Sequence, residues 1–268
     1  MSDARRSEHI HSTFWLEESE HDNPFAAAAC YCAGYDVYGH VLEHAGWPQY
    51  LLLLLTGEIP APRHAALFER LAIALANAGP RDPAVAAAMN GGATGTPAAA
   101  WLSSALAVGA GRLGGAREIH DAMTIWRHAG TDIAAWNRAL AEPLNDVAGD
   151  VWPPADHVPG FDPHGTTCTA PVRRTLSLLA GHSDGDALRW LERERGSLER
   201  LAGCPLAMPG VAAAALHDLG LAPAAGEVLY LFLRLPGAMA HALEQNALGH
   251  TRYPFYADGL DLQDDPGE

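Results

Sequence analysis

Residues 223–248 read PAAGEVLYLFLRLPGAMAHALEQNAL. This run is long, rich in Leu and Ala, and free of period-two alternation. It therefore reads as one helix, with enough apolar residues around it to suggest a buried core helix. Other parts of the chain follow the same period. In 65–78 the apolar set Leu67, Leu71, Ala74, Leu75 and Ala78 falls on one helical face, with Glu69 and Arg70 off it. Pro97 is placed to open a helix through Trp101, Leu102, Leu106 and Val108, which a glycine cluster then stops. Asp184 is placed to cap a helix carrying Leu188, Leu191, Leu198 and Leu201, weakened in its middle by Gly196. Alternating Val, Ile and Thr are almost absent, and 13–16 is the one short strand candidate. The expected fold class is all-α.

The 268 residues, 49% hydrophobic and only 18% charged, suffice for a large core and exclude disorder by composition. The formal net charge is -15, and all 17 basic residues are arginine. Without lysine there is no Schiff-base chemistry and no phosphate-loop lysine. A strongly acidic chain argues against nucleic-acid and anionic-membrane partners, while a small anion held by a few arginines stays compatible. The start MSDARRSEHIHS has no apolar stretch, and 51–55 is far shorter than the roughly 20 residues a membrane span needs. Four cysteines do not make a disulfide scaffold, and Cys30 and Cys32 are too close to pair easily. Reduced thiols in a cytoplasmic protein are expected.

One stretch differs in composition. Residues 142–165 are rich in Pro, Asp and Gly, with little helical periodicity. They read either as a functional loop or as the entry to a smaller helical domain reaching to about Pro209.

Three motifs bear on chemistry. Gly109-Ala-Gly111-Arg-Leu-Gly114 is a literal G-x-G-x-x-G, but a dinucleotide site needs a strand before it. The preceding AAAWLSSALAV reads as helix, so the glycines are expected to form a turn between helices. His40-Val-Leu-Glu43-His44 matches the inverted zinc-peptidase pattern H-x-x-E-H, with both histidines on one helical face and Glu43 as base. No third ligand can be nominated, and the alternative is a solvated helix face. Finally, Arg234 sits inside the apolar run, Arg173 and Arg174 follow the 142–165 stretch, and Arg252 follows the last helix. A guanidinium among apolar residues needs an acidic side chain or an anionic ligand.

Several segments, in order, resemble the citrate synthase superfamily, in particular its citryl-CoA lyase branch. Ala33-Gly-Tyr-Asp-Val37 is similar to the family's R-G-Y-D-I helix, and Trp47-Pro-Gln-Tyr-Leu-Leu-Leu-Leu-Leu-Thr-Gly-Glu58 to its L-L-x-G-E helix end. The stretch 102–118, with Arg112-Leu-Gly-Gly-Ala116, resembles its glycine turn. Val158-Pro-Gly-Phe161 follows. Arg234, Ala240-His-Ala-Leu-Glu-Gln245 and Tyr253-Pro-Phe-Tyr-Ala-Asp258 then resemble its last helix and aromatic-acidic end. The likeness spans about 25–258.

The resemblance implies an all-α unit with a large domain of about 25–150 and 210–268 and a small domain of about 151–209. It also implies a cytoplasmic homodimer that makes or breaks the carbon–carbon bond between an acetyl-CoA unit and a 2-oxo acid. A coenzyme A thioester and a 2-oxo or citrate-like acid would be substrates, with no tightly bound cofactor and no metal. By resemblance, His164 stabilises the enolate or carbonyl oxygen if one residue is inserted after Pro159-Gly-Phe161. Arg173 and Arg234 hold carboxylates, Arg252 is the arginine given across the dimer, and Asp36 is an acidic position near the site. The departures are as informative. Leu113 stands where synthases place a histidine, as in the lyase branch. Pro163 holds the second histidine's place if nothing is inserted, and Pro209 falls where the family has its aspartate base. Two further expectations stand beside the enzyme: a catalytically inactive paralogue acting as a partner or ligand-binding subunit, and the zinc peptidase at His40, Glu43 and His44.

Overall fold

In the computed structural model, residues 12–141 and 157–253 are described. The chain divides into two compact units, of which the first ends at Glu69 and the second begins at Arg70. The expected division at about 150 and 210 is a different cut of the chain and stays an expectation.

The first unit opens with a small antiparallel sheet in the order β1 (Leu16–Ser19), β2 (Ala27–Cys32), β3 (Tyr35–Asp36). The all-α expectation gains this one exception. The strand foreseen at 13–16 lies slightly later, and β2 is an Ala/Cys segment without β-branched residues, so its strand state comes from pairing rather than propensity. Ala33 and Gly34 join β2 to β3 with φ of 48° and 85°, as a two-residue turn of the mirror-image type requires. Ala33-Gly-Tyr-Asp-Val37 is therefore turn and strand rather than the helix its resemblance implied. Helical structure starts at Val37, as one π-type turn (Val37–Val41) running into α1 (Leu42–His44). Helix α2 (Trp47–Thr56) ends at Gly57, whose φ of 77° and N–H bond to the Leu53 carbonyl (2.8 Å) form a left-handed cap. Cys32, Val37 and Leu53 make the small core of this unit. Helix α3 (Pro62–Leu75) contains the point where the first unit ends.

The second unit is helical. It contains α4 (Pro83–Ala93), α5 (Ala98–Gly109), α6 (Ala116–Ala129), α7 (Ile133–Ala141), α8 (Ala170–His182), α9 (Ala187–Ala202), α10 (Met208–Asp218) and α11 (Pro223–Leu248), then a 3-10 turn (His250–Arg252). The long helix thus has the bounds its sequence suggests, but it is not buried all round: Val228 and Leu243 are each 58% exposed. The helix buried on every side is α10, where all residues from Pro209 to Leu216 are buried, because alanines let neighbours approach from each direction. It packs against α6, α8 and α9.

Helix α6 shows why amphipathic spacing suffices here. Ile119, Ala122, Met123, Trp126 and Ala129 are buried, while Arg127 and His128 lie exposed in the last turn, where positive charge suits the helix dipole. Helix α11 lies along α4 and α5. The contact with α4 is close enough that a Cβ on Gly92 would stand 2.2 Å from the Ala242 carbonyl oxygen. Pro236 interrupts the hydrogen-bond ladder of α11, and the next N–H, on Gly237, bonds instead to the Ala76 carbonyl (2.6 Å). Asp184 does not cap α9; the cap position is Asp186, and the side chain serving the first turn is Asp218. Asp218 accepts from the N–H groups of Ala187 (2.8 Å) and Leu188 (3.1 Å) and from the Ser183 hydroxyl (2.7 Å).

Candidate active site

The turn 109–115 joins α5 to α6, so its glycines serve a helix-to-helix connection as expected. Gly114 has φ of 66°, and a Cβ on Gly115 would stand 2.2 Å from the Gly111 carbonyl oxygen, so no other residue fits. Leu113 on this turn is 57% exposed.

One carboxylate organises what surrounds the turn. Glu118, in the first turn of α6 and only 2% exposed, accepts the Gly114 N–H on Oε2 (2.5 Å) and the Gly160 N–H on Oε1 (2.7 Å). The ring of His157, itself buried, stands 3.7 Å from Oε1. Gly160 carries the arrangement on to α10. Its carbonyl accepts the Ala207 N–H (3.0 Å), and a Cβ on it would stand 2.8 Å from Gly210 Cα. Phe161 bridges to Leu206, and the Asp162 N–H bonds to the Pro205 carbonyl (2.8 Å). Pro209 is buried in the first turn of α10, beside this junction.

The opposite side of the glycine turn is held by α11. Arg234 donates one guanidinium N–H to the Gly114 carbonyl (2.8 Å), pairs with Asp82, and lies over the Tyr230 ring (4.9 Å to its centre). The Tyr230 hydroxyl donates to the same carbonyl (3.3 Å). Burial pushes the Tyr230 phenol up to about 12, Arg234 working against the rise and Glu118 and Asp82 adding to it, so it stays a donor at physiological pH. Asp82 also caps α4 through the Ala84 and Val85 N–H groups.

Of the residues named from sequence, Arg234 is thus already paired with Asp82. His164 is exposed on the loop leading to α8, its backbone N–H held by Asp162 Oδ1 (2.9 Å). Arg173, in the first turn of α8, donates to the Cys168 carbonyl and lines an open cleft of about 630 Å³ that also takes in Gly165, next to His164. Arg252 is exposed in the 3-10 turn, and 254–258, the rest of the aromatic-acidic end, lies outside the described residues. Asp36 belongs to the first unit, where its carboxylate accepts the Gly39 N–H (2.8 Å) at the start of the π-type turn. His40 and His44 stack with ring centres 4.5 Å apart, and His44 Nδ1 is 2.9 Å from the His40 carbonyl. Among the described residues, no group of three or more His, Cys, Asp or Glu side chains is placed to hold a metal ion. The four cysteines are free thiols. No described helix is long and apolar enough to cross a membrane.

Sequence reasoning missed Glu118, Asp82 and His157 as site groups. Glu118 ends the quoted 102–118 segment, four residues after a glycine at positive φ, a spacing that lets a first-turn carboxylate reach back to the turn's N–H.

Helices in this order, with a glycine turn, a Pro-Gly-Phe loop and the start of α10 gathered on one buried carboxylate, form a citrate synthase-like fold, similar to that of solved citryl-CoA and ATP citrate lyases. Citryl-CoA lyase from Hydrogenobacter thermophilus is similar over 97% of this chain and 96% of its own, with a TM-score of 0.69 at 15% identity. ATP citrate lyase from Methanothrix soehngenii, solved with citrate and coenzyme A, is similar over 95% of this chain at a TM-score of 0.68 and 16% identity. A mutant Methanosaeta concilii ATP citrate lyase, solved with (3S)-citryl-CoA, gives 95%, 0.68 and 17%. This chain spans 42% of the length of each of those two. No protein-family model and no curated protein matches it.

Proposed function

We propose that this chain is a citryl-CoA lyase-like or synthase-like enzyme that breaks or makes the carbon–carbon bond between an acetyl-CoA unit and a 2-oxo acid. The observation that carries this reading is the fold shared nearly end to end with citryl-CoA lyase. In the cleavage direction a base takes the proton of the tertiary hydroxyl. The carbon–carbon bond then breaks, its electron pair passes into the thioester enolate, and a proton returns to the enolate carbon. A donor on the enolate oxygen and cations on the acid's carboxylates lower that barrier. His164 is the proposed donor and Arg173 the proposed carboxylate holder, with Arg234 and Arg252 as further carboxylate ligands and Asp36 as the remaining acid or base. Coenzyme A enters as the thioester substrate, and the working form is a cytoplasmic homodimer. Thiol release from acetyl-CoA across a panel of 2-oxo acids, with citryl-CoA cleavage run beside it, tests the reading; no turnover in either direction would refute it.

A second reading has its own observation. Pro209 is buried in the first turn of α10 and can accept no proton, while Leu113 offers no ring where synthases have one. A non-catalytic paralogue that binds ligand for a partner subunit fits those two positions. It requires acid or thioester binding without turnover.

A further inference from the structure

The histidine pair at the junction of the π-type turn and α1 plays no part in the proposed reaction. His40 stands in the last turn of Val37–Val41, and His44 ends α1 four residues on. Of the 14 histidines in the sequence, these are the one pair separated by three or four positions, the spacing that puts two side chains on the same helical face. Both are exposed, and their rings stack with centres 4.5 Å apart and planes 21° apart. The pair lies wholly within the first unit.

The surroundings prepare the two rings for a shared ligand. His44 Nδ1 lies 2.9 Å from the His40 carbonyl oxygen, which can only accept, so Nδ1 carries the proton and Nε2 of the neutral ring keeps its lone pair. Metal-binding histidines are held in this way, one nitrogen donating to a carbonyl or carboxylate while the other ligates. The backbone beneath His40 is pinned as well. Asp36 accepts the Gly39 N–H (2.8 Å), a Cβ on Gly39 would collide with Asp36 Oδ2, and Val37 and Val41 are buried. Charge favours a cation here: residues 12–69 hold eight acidic side chains against one arginine.

From this arrangement we infer that His40 and His44 together bind one divalent transition-metal ion of the class that imidazole favours, Cu2+ or Zn2+, with water completing its coordination. Two nitrogens each about 2.0–2.1 Å from one ion stand about 3 Å apart, a separation that two nearly parallel rings reach by small side-chain rotations. Among the described residues no third His, Cys, Asp or Glu is placed to join them, Glu43 included. The site is therefore open and holds its ion less tightly than a closed structural centre. Two neutral nitrogen ligands rank Cu2+ above Zn2+ and leave out Mg2+, which takes oxygen ligands. A bound ion clamps the π-type turn to α1, and it does so whether or not the chain turns over a thioester.

The test is calorimetric titration of the full chain, free of any affinity tag, with CuCl2, ZnCl2 and MgCl2, together with electron paramagnetic resonance of the Cu2+ form. The variants are His40→Gln, His44→Gln, the double substitution and His182→Gln, each checked for unchanged helical content. His182 is the control, because its Nδ1 also lies 2.8 Å from the carbonyl four residues back, but Leu178 stands there in place of a second ring. Wild type should bind one more Cu2+ per chain than the double variant, with Kd in the micromolar range, Zn2+ about tenfold weaker and Mg2+ not at all. Either single substitution of the pair should raise that Kd about tenfold or more, and His182→Gln should leave it unchanged. The Cu2+ spectrum should show coupling to two imidazole nitrogens in wild type and to one in either single variant, a signature that loose surface binding does not give. Equal Cu2+ binding in wild type and the double variant, or a wild-type Kd above about 0.1 mM, means an adventitious ion only and overturns the inference.

Discussion

Gly160 donates its N–H to Glu118 across 42 positions of sequence, at 2.7 Å, and the other oxygen of the same carboxylate holds Gly114. One side chain thus fixes the spacing of the two loops on which the resemblance places Leu113 and His164, and through Gly160 it fixes the start of α10, where Pro209 lies.

Replacing Glu118 by alanine orphans two backbone N–H groups in a buried place. Each such group costs about 1–3 kcal/mol, so a loss of roughly 3 kcal/mol or more is expected in urea denaturation. Glu118→Gln keeps one good acceptor and should lose about half as much. An alanine variant as stable as wild type would show that these contacts carry no weight.

Arg234 and Asp82 form the second tie to the glycine turn, with side chains only 10% and 15% exposed. Arg234→Met alone leaves Asp82 charged and unpaired and should cost about 3 kcal/mol. Adding Asp82→Asn to Arg234→Met should recover part of that loss, and a double-mutant cycle measures the coupling. Additive effects would mean that the pair does not interact.

Ala33 has φ of 48° at the first position of a turn that prefers Asn or Gly there. Ala33→Asn should stabilise the protein by about 1 kcal/mol, read as a higher denaturation midpoint at constant slope.

His217 stacks on Trp126, ring centres 5.8 Å apart, within a cluster that also holds Trp136 and Trp190. Burial lowers its pKa below the usual 6.5; neighbouring Asp218 opposes this and Arg127 adds to it. The folded state thus favours neutral imidazole, and the unfolded chain takes up the proton first. This contribution is full above pH 6.5 and is lost as the pH falls from there toward the folded-state pKa. Denaturation midpoints measured from pH 7.5 to 5 should fall for wild type and fall less for His217→Gln.

Much of the helical frame was legible because period and punctuation agree. The bounds of α11, the opening of α5 at Pro97 and the helix-to-helix turn at 109–115 follow from apolar spacing, proline and glycine alone. The sheet was not legible, because Ala27–Cys32 has neither the composition nor the alternation of a strand and depends on its partners for that state. Which of the two apolar helices is central was not legible either. Leucines make α11 look buried, yet alanines, being small, are what allow α10 to be packed from all sides. At the site, arginine types pointed toward anions, but pairing partners are set by tertiary approach. Asp82, 152 positions from Arg234, carries no local sign of that role.

The most direct test of the proposed function is turnover by the purified full chain, with citryl-CoA cleavage and acetyl-CoA condensation measured beside a His164→Ala control. The account predicts turnover that depends on one acid and falls at least about a hundredfold in His164→Ala. Turnover undiminished in that variant would contradict the assignment of His164. Absence of turnover in wild type, in both directions, would contradict the enzymatic reading itself.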